Sequence, residues 1–457
     1  LGREVARLWP RIKPIEEAIL AFDGARLQEA LSALHGNASP SAAILRARAL
    51  LRLNRPEPAL AALPRMSEVD EATHGQIAEA HIVRAAALMR VARFADAHDA
   101  LAAAWVHVVS NGNVAMEAEF EYYRALLAWM LGRYEGASAG LAGIERLTVP
   151  DEAWLEPIEP YIISLAATQA RALELRAFEA GRTGKMHEQL RLLRRGLGVL
   201  RSDARPDSFV EAGLLRNLAV VARELGAQAD ADAIGRRIAE LEWTPDLAEQ
   251  RYHIVRSLGW CRALAGDHVG ALRRFREAGK LAVTPAWQLF AVVDRAYLAV
   301  ELGQHIFADE EIDHAVDLSL TIDWTKTAGE ESAALLLLAQ LVAKRDPAEA
   351  TRILERYRSA CRRLSALVFA PLDPRVKASE YYARAQIALS QGDGGAASIL
   401  LVDAFKTWHE IGSKWRAALA AGDLARLGRD ARYARYADRE AQRRPDSWLA
   451  LRRVAAA

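Results

Sequence analysis

The sequence predicts an all-α fold of helical hairpins packed side by side, and three observations predict it. The 457 residues are 52% hydrophobic and 26% charged, and Pro is limited to 16 positions. Ala, Leu, Arg and Glu dominate the apolar segments, and all four are good helix formers. Turn-like positions recur at Ala92, Gly132, Gly184, Gly226, Gly266, Gly303, Asp346, Gly392 and Gly428, 36 to 52 residues apart. Seven residues before each turn stand Ala85, Ala125, Ala177, Ala219, Gly259, Ala296, Ala339, Ala385 and Ala421, every one of them small. Ala and Gly make up roughly a quarter of the chain, so chance would supply about two or three of nine.

Each unit therefore reads as a first helix, a turn and a second helix. Five residues after the turns stand Ala97, Ala137, Gln189, Ala231, Ala271, Ala308, Thr351, Ala397 and Tyr433, mostly Ala. Nine after, Leu101, Leu141, Leu193, Phe275, Ile312 and Leu401 are large, while Gly235, Glu355 and Ala437 break the column. A small residue facing a small residue lets two antiparallel helices approach closely, and the large residue four positions on fills the space beside that contact. Gly at the turn adopts the left-handed conformation that ends a helix. One hairpin cannot bury its apolar face alone, so neighbours must stack on it.

This pattern resembles the tetratricopeptide repeat (TPR). Its residues in one unit are Gly259, Gly266, Ala271, Phe275 and Ala278. The early aromatic of the first helix is mostly absent and the period exceeds the usual 34 or so residues, departures that resemble the sensor solenoids of large bacterial LuxR-type regulators. Arg-Ala pairs at Arg84, Arg124, Arg176, Arg295 and Arg384, and "GSKWRAALAAGDLARLGR" from Gly412, share that look. The resemblance implies about ten hairpins in a right-handed superhelix: a single solenoid over 1–457, irregular over 1–75, regular over 76–428, with a capping helix and tail over 429–457. Looser turns fall at Gly24 and Asn54. "TVPDEAWLEPIEPYI" from Thr148 reads as an extended connection, and "TPAW" at Thr284, "LSLTIDW" at Leu318 and "FAPLDPR" at Phe369 as joints.

Composition narrows function. Net charge is +1, which gives no global drive towards nucleic acid or anionic membrane. The arginines from Arg429 onward are diluted by acids and read as a solvated terminal helix. The longest apolar run, Ala333 to Ala343, is too short to span a bilayer. Two cysteines, Cys261 and Cys361, form no disulfide framework or zinc set, which fits a reducing cytoplasm. A start at Leu1 rather than Met suits a piece of a longer protein, and no helix-turn-helix follows the repeats. His305, Asp309 and Asp313 share a helix face but lack the paired-His zinc spacing, and read as an exposed acidic face. Cys261 reads as buried. "AGRTGKMHE" and "SQGDGGAAS" are turns, not phosphate loops. No motif argues for an enzyme, a cofactor or a metal.

The first helices of TPR-like hairpins line a concave groove. The resemblance places Tyr122, Leu126, Trp129 and Met130 there, followed by Arg171, Glu174, Phe178 and Arg182. Arg216 and Arg223, then His253, Arg256 and Trp260, then Tyr297 complete the set. Arginines interleaved with aromatics suit carboxylate or phosphate beside an apolar group. The chaperone-binding carboxylate clamp of other TPR proteins is absent at matching places. The expectation is a non-catalytic module that recognises a peptide, a protein or a small anionic ligand within a bacterial transcription or signalling regulator, without contacting nucleic acid or membrane itself. The alternative is a stand-alone adaptor that scaffolds a complex. Charge reversal at Arg216 and Arg256 together should then weaken partner binding at a nearly unchanged melting temperature. Far-ultraviolet circular dichroism should give a helix-dominated spectrum, and a substantial strand signal would overturn the fold.

Overall fold

A computed structural model describes residues 2–63, 72–148, 163–203, 206–324, 332–365, 373–428 and 430–450. Among them there is no strand. Helices pair as hairpins: α1 (Gly2–Asp23) with α2 (Leu27–Ala33), α3 (Pro40–Arg52) with α4 (Pro56–Ala62), α5 (His74–Arg90) with α6 (Phe94–Asn111), and α7 (Val114–Met130) with α8 (Tyr134–Ile144). There follow α9 (Leu165–Arg182) and α10 (Met186–Arg201), α11 (Ser208–Leu225) and α12 (Gln228–Glu240), α13 (Ala248–Leu264) and α14 (His268–Leu281), and α15 (Pro285–Glu301) and α16 (His305–Thr321). The last pairs are α17 (Ala334–Ala343) with α18 (Pro347–Ser365), α19 (Pro374–Ser390) with α20 (Gly394–Glu410), and α21 (Lys414–Arg426) with α22 (Ala431–Gln442). The fold is all-α, a TPR-like array of hairpins.

Where the repeat pattern predicts a single solenoid, the chain clusters into two compact units. Unit 1 comprises residues 1–177, 192–214 and 242–247, and unit 2 residues 178–191, 215–241 and 248–457. Three of the crossings fall within α9, α10 and α11, and the other two bracket 242–247, between α12 and α13. The expected extended connection falls on 149–162, outside the described residues, as does most of the joint at Phe369. The joint at Thr284 is a helix start, where the Thr284 hydroxyl accepts from the Trp287 N–H and Pro285 opens α15.

The repeat columns are packing columns. All nine small residues before the turns are buried. The turn glycines and Ala92 share the left-handed backbone, with φ from 58° at Ala92 to 89° at Gly266. At Gly226 the following N–H, that of Ala227, reaches back to the Ala222 carbonyl at 2.8 Å, closing the helix end. The turn at Asp346 departs from this. Its carboxylate instead accepts from the N–H groups of Ala348 and Glu349 at 2.9 Å, starting α18 one residue early. The phase slips by one, so Ala350 and Leu354 are buried where Thr351 and Glu355 were expected. Near the N-terminus the left-handed residue is Ala25 rather than Gly24.

Unit 1 carries a ladder of buried ions along its first helices. Arg48 of α3 reaches Glu79 of α5 at 2.8 Å and grips Glu119 of α7 with two bonds of 2.6 and 2.7 Å. Arg171 of α9 lies 3.7 Å from Glu119, donates to the Tyr123 hydroxyl at 3.0 Å and sits 4.3 Å over the Tyr122 ring. Two guanidiniums meet two carboxylates, so the row neutralises itself.

Within the hairpin of α13 and α14, Gly259 packs closely against Phe275. A Cβ on Gly259 would stand 2.5 Å from the Phe275 ring, which is fully buried. Gly259→Ala should therefore lower stability by about 1–3 kcal/mol through overpacking. Gly235 of α12 is the control, since a Cβ added there would meet nothing within 4 Å. Gly235→Ala should raise stability by about 0.5–1 kcal/mol. Thermal unfolding of the two variants reads the opposite signs, and a stabilising Gly259→Ala would contradict this packing.

Candidate ligand pocket

Unit 2 contains a cavity of about 160 Å³. It is lined by Phe178 of α9, by Arg216, Asn217, Val220, Arg223 and Glu224 of α11, and by His253 and Arg256 of α13. Phe290 of α15, Leu336 of α17, Arg375 of α19 and Arg416 of α21 extend the wall. Every one of these helices is the first of its hairpin. On α11 the spacing does the work: positions 216, 220, 223 and 224 lie on one helix face.

Glu224 organises this wall. It is buried, accepts from Arg416 Nε at 2.9 Å and from Ser413 at 3.1 Å, and is paired with its neighbour Arg223 at 2.7 Å. The Trp415 indole N–H donates to the Arg223 carbonyl at 3.0 Å. Helix α21 is thereby held on α11, across 189 to 192 residues of sequence. Burial alone would raise the Glu224 carboxyl, but Arg416, Arg223 and Arg375 pull it down to about 2. It is ionised across the working pH range.

The other arginines are held with different strength. Arg256 is buried, makes a two-bonded pair with the fully buried Asp294 (Nη2 to oxygen 3.0 Å), and lies 4.0 Å over the Phe290 ring. Arg375 pairs with Asp373 through Nε at 2.8 Å. Arg216 makes one bond of 3.1 Å, to the half-exposed Glu249. His253 packs edge-on against Tyr252 and Trp287. Burial, then Arg216, Arg256 and Arg223, push its imidazole down to about 3, so it is neutral. The field around it is positive.

Of the residues the sequence singles out, the structure brings Phe178, Arg216, Arg223, His253 and Arg256 to this cavity. Arg182 pairs with Glu179 of its own helix. Tyr122, Trp129 and Arg171 belong to unit 1, where Tyr122 is buried under Arg171 and Trp129 packs edge-on against Tyr134. Trp260 and Tyr297 do not line this cavity but a much smaller one, with Trp415 and Arg416. Both are buried, at 4% and 6% exposure. Trp260 stacks on Trp415 of α21 and Tyr297 meets Trp448, so these later elements cover a position that in α9 leaves Phe178 at 38% exposure. Arg256 is also a correction as a removable surface charge: reversing it would bury two like charges beside each other.

Sequence reasoning misses Glu224, Arg375, Arg416 and Gln189. Gln189 alone carries a signal, because it breaks the Ala column five residues after a turn. It lines the cavity, and its Oε1 is buried without a hydrogen-bond partner. Gly181 makes room for it: a Cβ there would stand 2.7 Å from that oxygen. Cys261 is buried and burial pushes its thiol up to about 12, an unreactive thiol. Asp309 and Asp313 are exposed and both pair with Arg345. Among the described residues no group of three or more His, Cys, Asp or Glu is placed to hold a metal. No described helix is long and apolar enough to cross a membrane.

No family model matches the sequence, and no curated protein matches it by sequence. Among solved structures, the apo form of the quorum sensor NprR from B. thuringiensis is similar at 14% identity and a TM-score of 0.48, over 80% of this chain and 97% of that one. A Rap protein complexed with Competence and Sporulation Factor is similar at 14% identity and 0.41, over 87% and 99%. A signal-transduction ATPase with numerous domains and a tetratricopeptide repeat sensor, from Pyrococcus horikoshii, is similar at 11% identity and 0.42, over 85% of this chain and 52% of that one.

The depressed His253 imidazole gives a pH signature. The unfolded chain takes up a proton near pH 6.5, whereas the folded one resists until about pH 3. Stability from burying the neutral ring is thus complete above pH 6.5 and is lost as pH falls towards 3. By pH 5 the loss is about 2 kcal/mol. His253→Gln should lose that much less than the parent between pH 7 and pH 5 in thermal unfolding; parallel losses would contradict it.

Proposed function

We propose that the chain is a ligand-binding regulatory module whose unit 2 pocket takes a peptide or other small anionic ligand. The observation that carries this is the convergence of five arginines with aromatic and aliphatic walls in one cavity. Guanidiniums fixed by buried acids are pre-organised to receive a carboxylate or phosphate without losing side-chain freedom on binding. The chemistry favours recognition over catalysis, since His253 is held neutral in a positive field and Cys261 is buried as a thiol. A bacterial transcription or signalling regulator is the context supported by the likeness of the repeats to LuxR-type sensor solenoids.

The test is affinity selection from a randomised octapeptide library, read by mass spectrometry. Arg216→Glu should reduce retention about tenfold or more. Its melting temperature should stay within about 2 °C, because its partner Glu249 is half exposed and such a pair contributes about 0–1 kcal/mol. Arg256→Glu should instead destabilise the fold by about 3–5 kcal/mol. Retention unaffected by Arg216→Glu would overturn the pocket and leave an adaptor that binds elsewhere.

A further inference from the structure

Two histidines of unit 1 meet at the end of a hairpin. His74 and His107 are 33 residues apart in sequence, and their Nδ1 atoms are 2.8 Å apart. The ring centroids stand 5.0 Å apart with 38° between the planes, so the rings meet nitrogen to nitrogen. His74 is exposed and His107 half-buried. At this distance one Nδ1–H donates to the lone pair of the other Nδ1.

The hairpin sets this meeting. His74 opens α5 and His107 stands near the end of α6, so antiparallel packing joins the two ends away from the turn at Ala92. A capping box fixes the first turn of α5. The Thr73 hydroxyl accepts from the Gln76 N–H at 3.2 Å, and the Gln76 side chain accepts from the Thr73 N–H at 3.2 Å. Ala78 of α5 and Ala104 and Val108 of α6 are buried in one core. Both rings therefore stand on ordered backbone.

Two imidazole nitrogens so placed can share a metal ion instead of a proton. Bonds of about 2.0–2.1 Å to one ion span about 2.9 Å between nitrogens at a right angle and about 3.3 Å at the tetrahedral angle. The pair must widen by no more than about 0.5 Å, which small rotations of surface rings supply. The donor ring then carries its proton on Nε2, so both Nδ1 lone pairs face the ion and no net proton is lost. His81 is not a third ligand: it lies two turns from His74, about 10 Å along α5. Among the described residues no set of three or more His, Cys, Asp or Glu is placed around an ion, so water completes the shell. Imidazole suits Cu²⁺, Ni²⁺ and Zn²⁺, whereas Ca²⁺ and Mg²⁺ take oxygen ligands.

We propose that His74 and His107 form a two-histidine site for a divalent transition-metal ion, completed by water, that clamps the open end of the α5–α6 hairpin. Cu²⁺ should bind more tightly than Ni²⁺ or Zn²⁺. The site does not depend on the unit 2 pocket.

Calorimetric titration of the full chain with Cu²⁺, supplied as its glycine complex to suppress binding at lone histidines, tests this. One equivalent should bind. His74→Gln, which keeps a hydrogen-bonding amide, and His107→Ala should each weaken that binding about tenfold or more. His98→Ala, on the same helix as His107, should leave it unchanged. Electron paramagnetic resonance of the one-to-one complex should show coupling to two imidazole nitrogens. No saturable equivalent on the parent, or one unaffected in His74→Gln and His107→Ala, would overturn the site. Loss in only one of those variants, or coupling to a single imidazole, would assign a lone histidine and overturn it as well.

Discussion

The unit 2 pocket depends on one buried carboxylate, Glu224. It sits at the C-terminal end of α11, two residues before the turn at Gly226, and its partners Ser413 and Arg416 belong to a hairpin nearly two hundred residues later. An ionised carboxylate without partners would be expelled from such a site or protonated. Held between Arg223 and Arg416 it stays charged, and in doing so it fixes where α21 lies. That placement brings Arg416 to the cavity and sets Trp415 against Trp260. Electrostatics at the wall and aromatic packing behind it are thus consequences of the same contact.

Each unit uses the first helices of its hairpins differently. In unit 1, Arg48, Glu79, Glu119 and Arg171 run along α3, α5, α7 and α9 in balance, each buried charge answering another. Burial alone would lower the Arg171 pKa, but Tyr123, Tyr122 and Glu119 raise it. Such a row contributes register rather than recognition. At the unit 2 cavity, burial and then Arg216, Arg256 and Arg223 drive His253 neutral, while Arg416, Arg223 and Arg375 drive Glu224 acidic.

Much of the fold was legible because it is local. The residues from Ala85 to Ala421 mark helix contacts inside each hairpin, and their spacing from the turn is set by helix geometry alone. The same locality explains the slip at Asp346, where a side-chain cap replaces a left-handed Gly and shifts the second helix by one residue. The pocket was half legible. Arg216, Arg223, His253 and Arg256 follow from helix phase, whereas Arg375 and Arg416 fall outside the repeat positions that line a TPR-like groove. Trp260 and Tyr297 share a slot with Phe178, yet are buried by Trp415 and Trp448, which come from far along the chain. Closure across such a distance leaves no periodic trace.

Hydrogen exchange followed by mass spectrometry on Glu224→Gln tests the central contact most directly. Removing the charge leaves Arg223 and Arg416 without their buried counterion while keeping side-chain size. The account predicts that exchange accelerates together in α11 and at the start of α21, by about tenfold or more, with α5 to α8 unchanged. Acceleration confined to α11, with α21 as protected as in the parent, would contradict it.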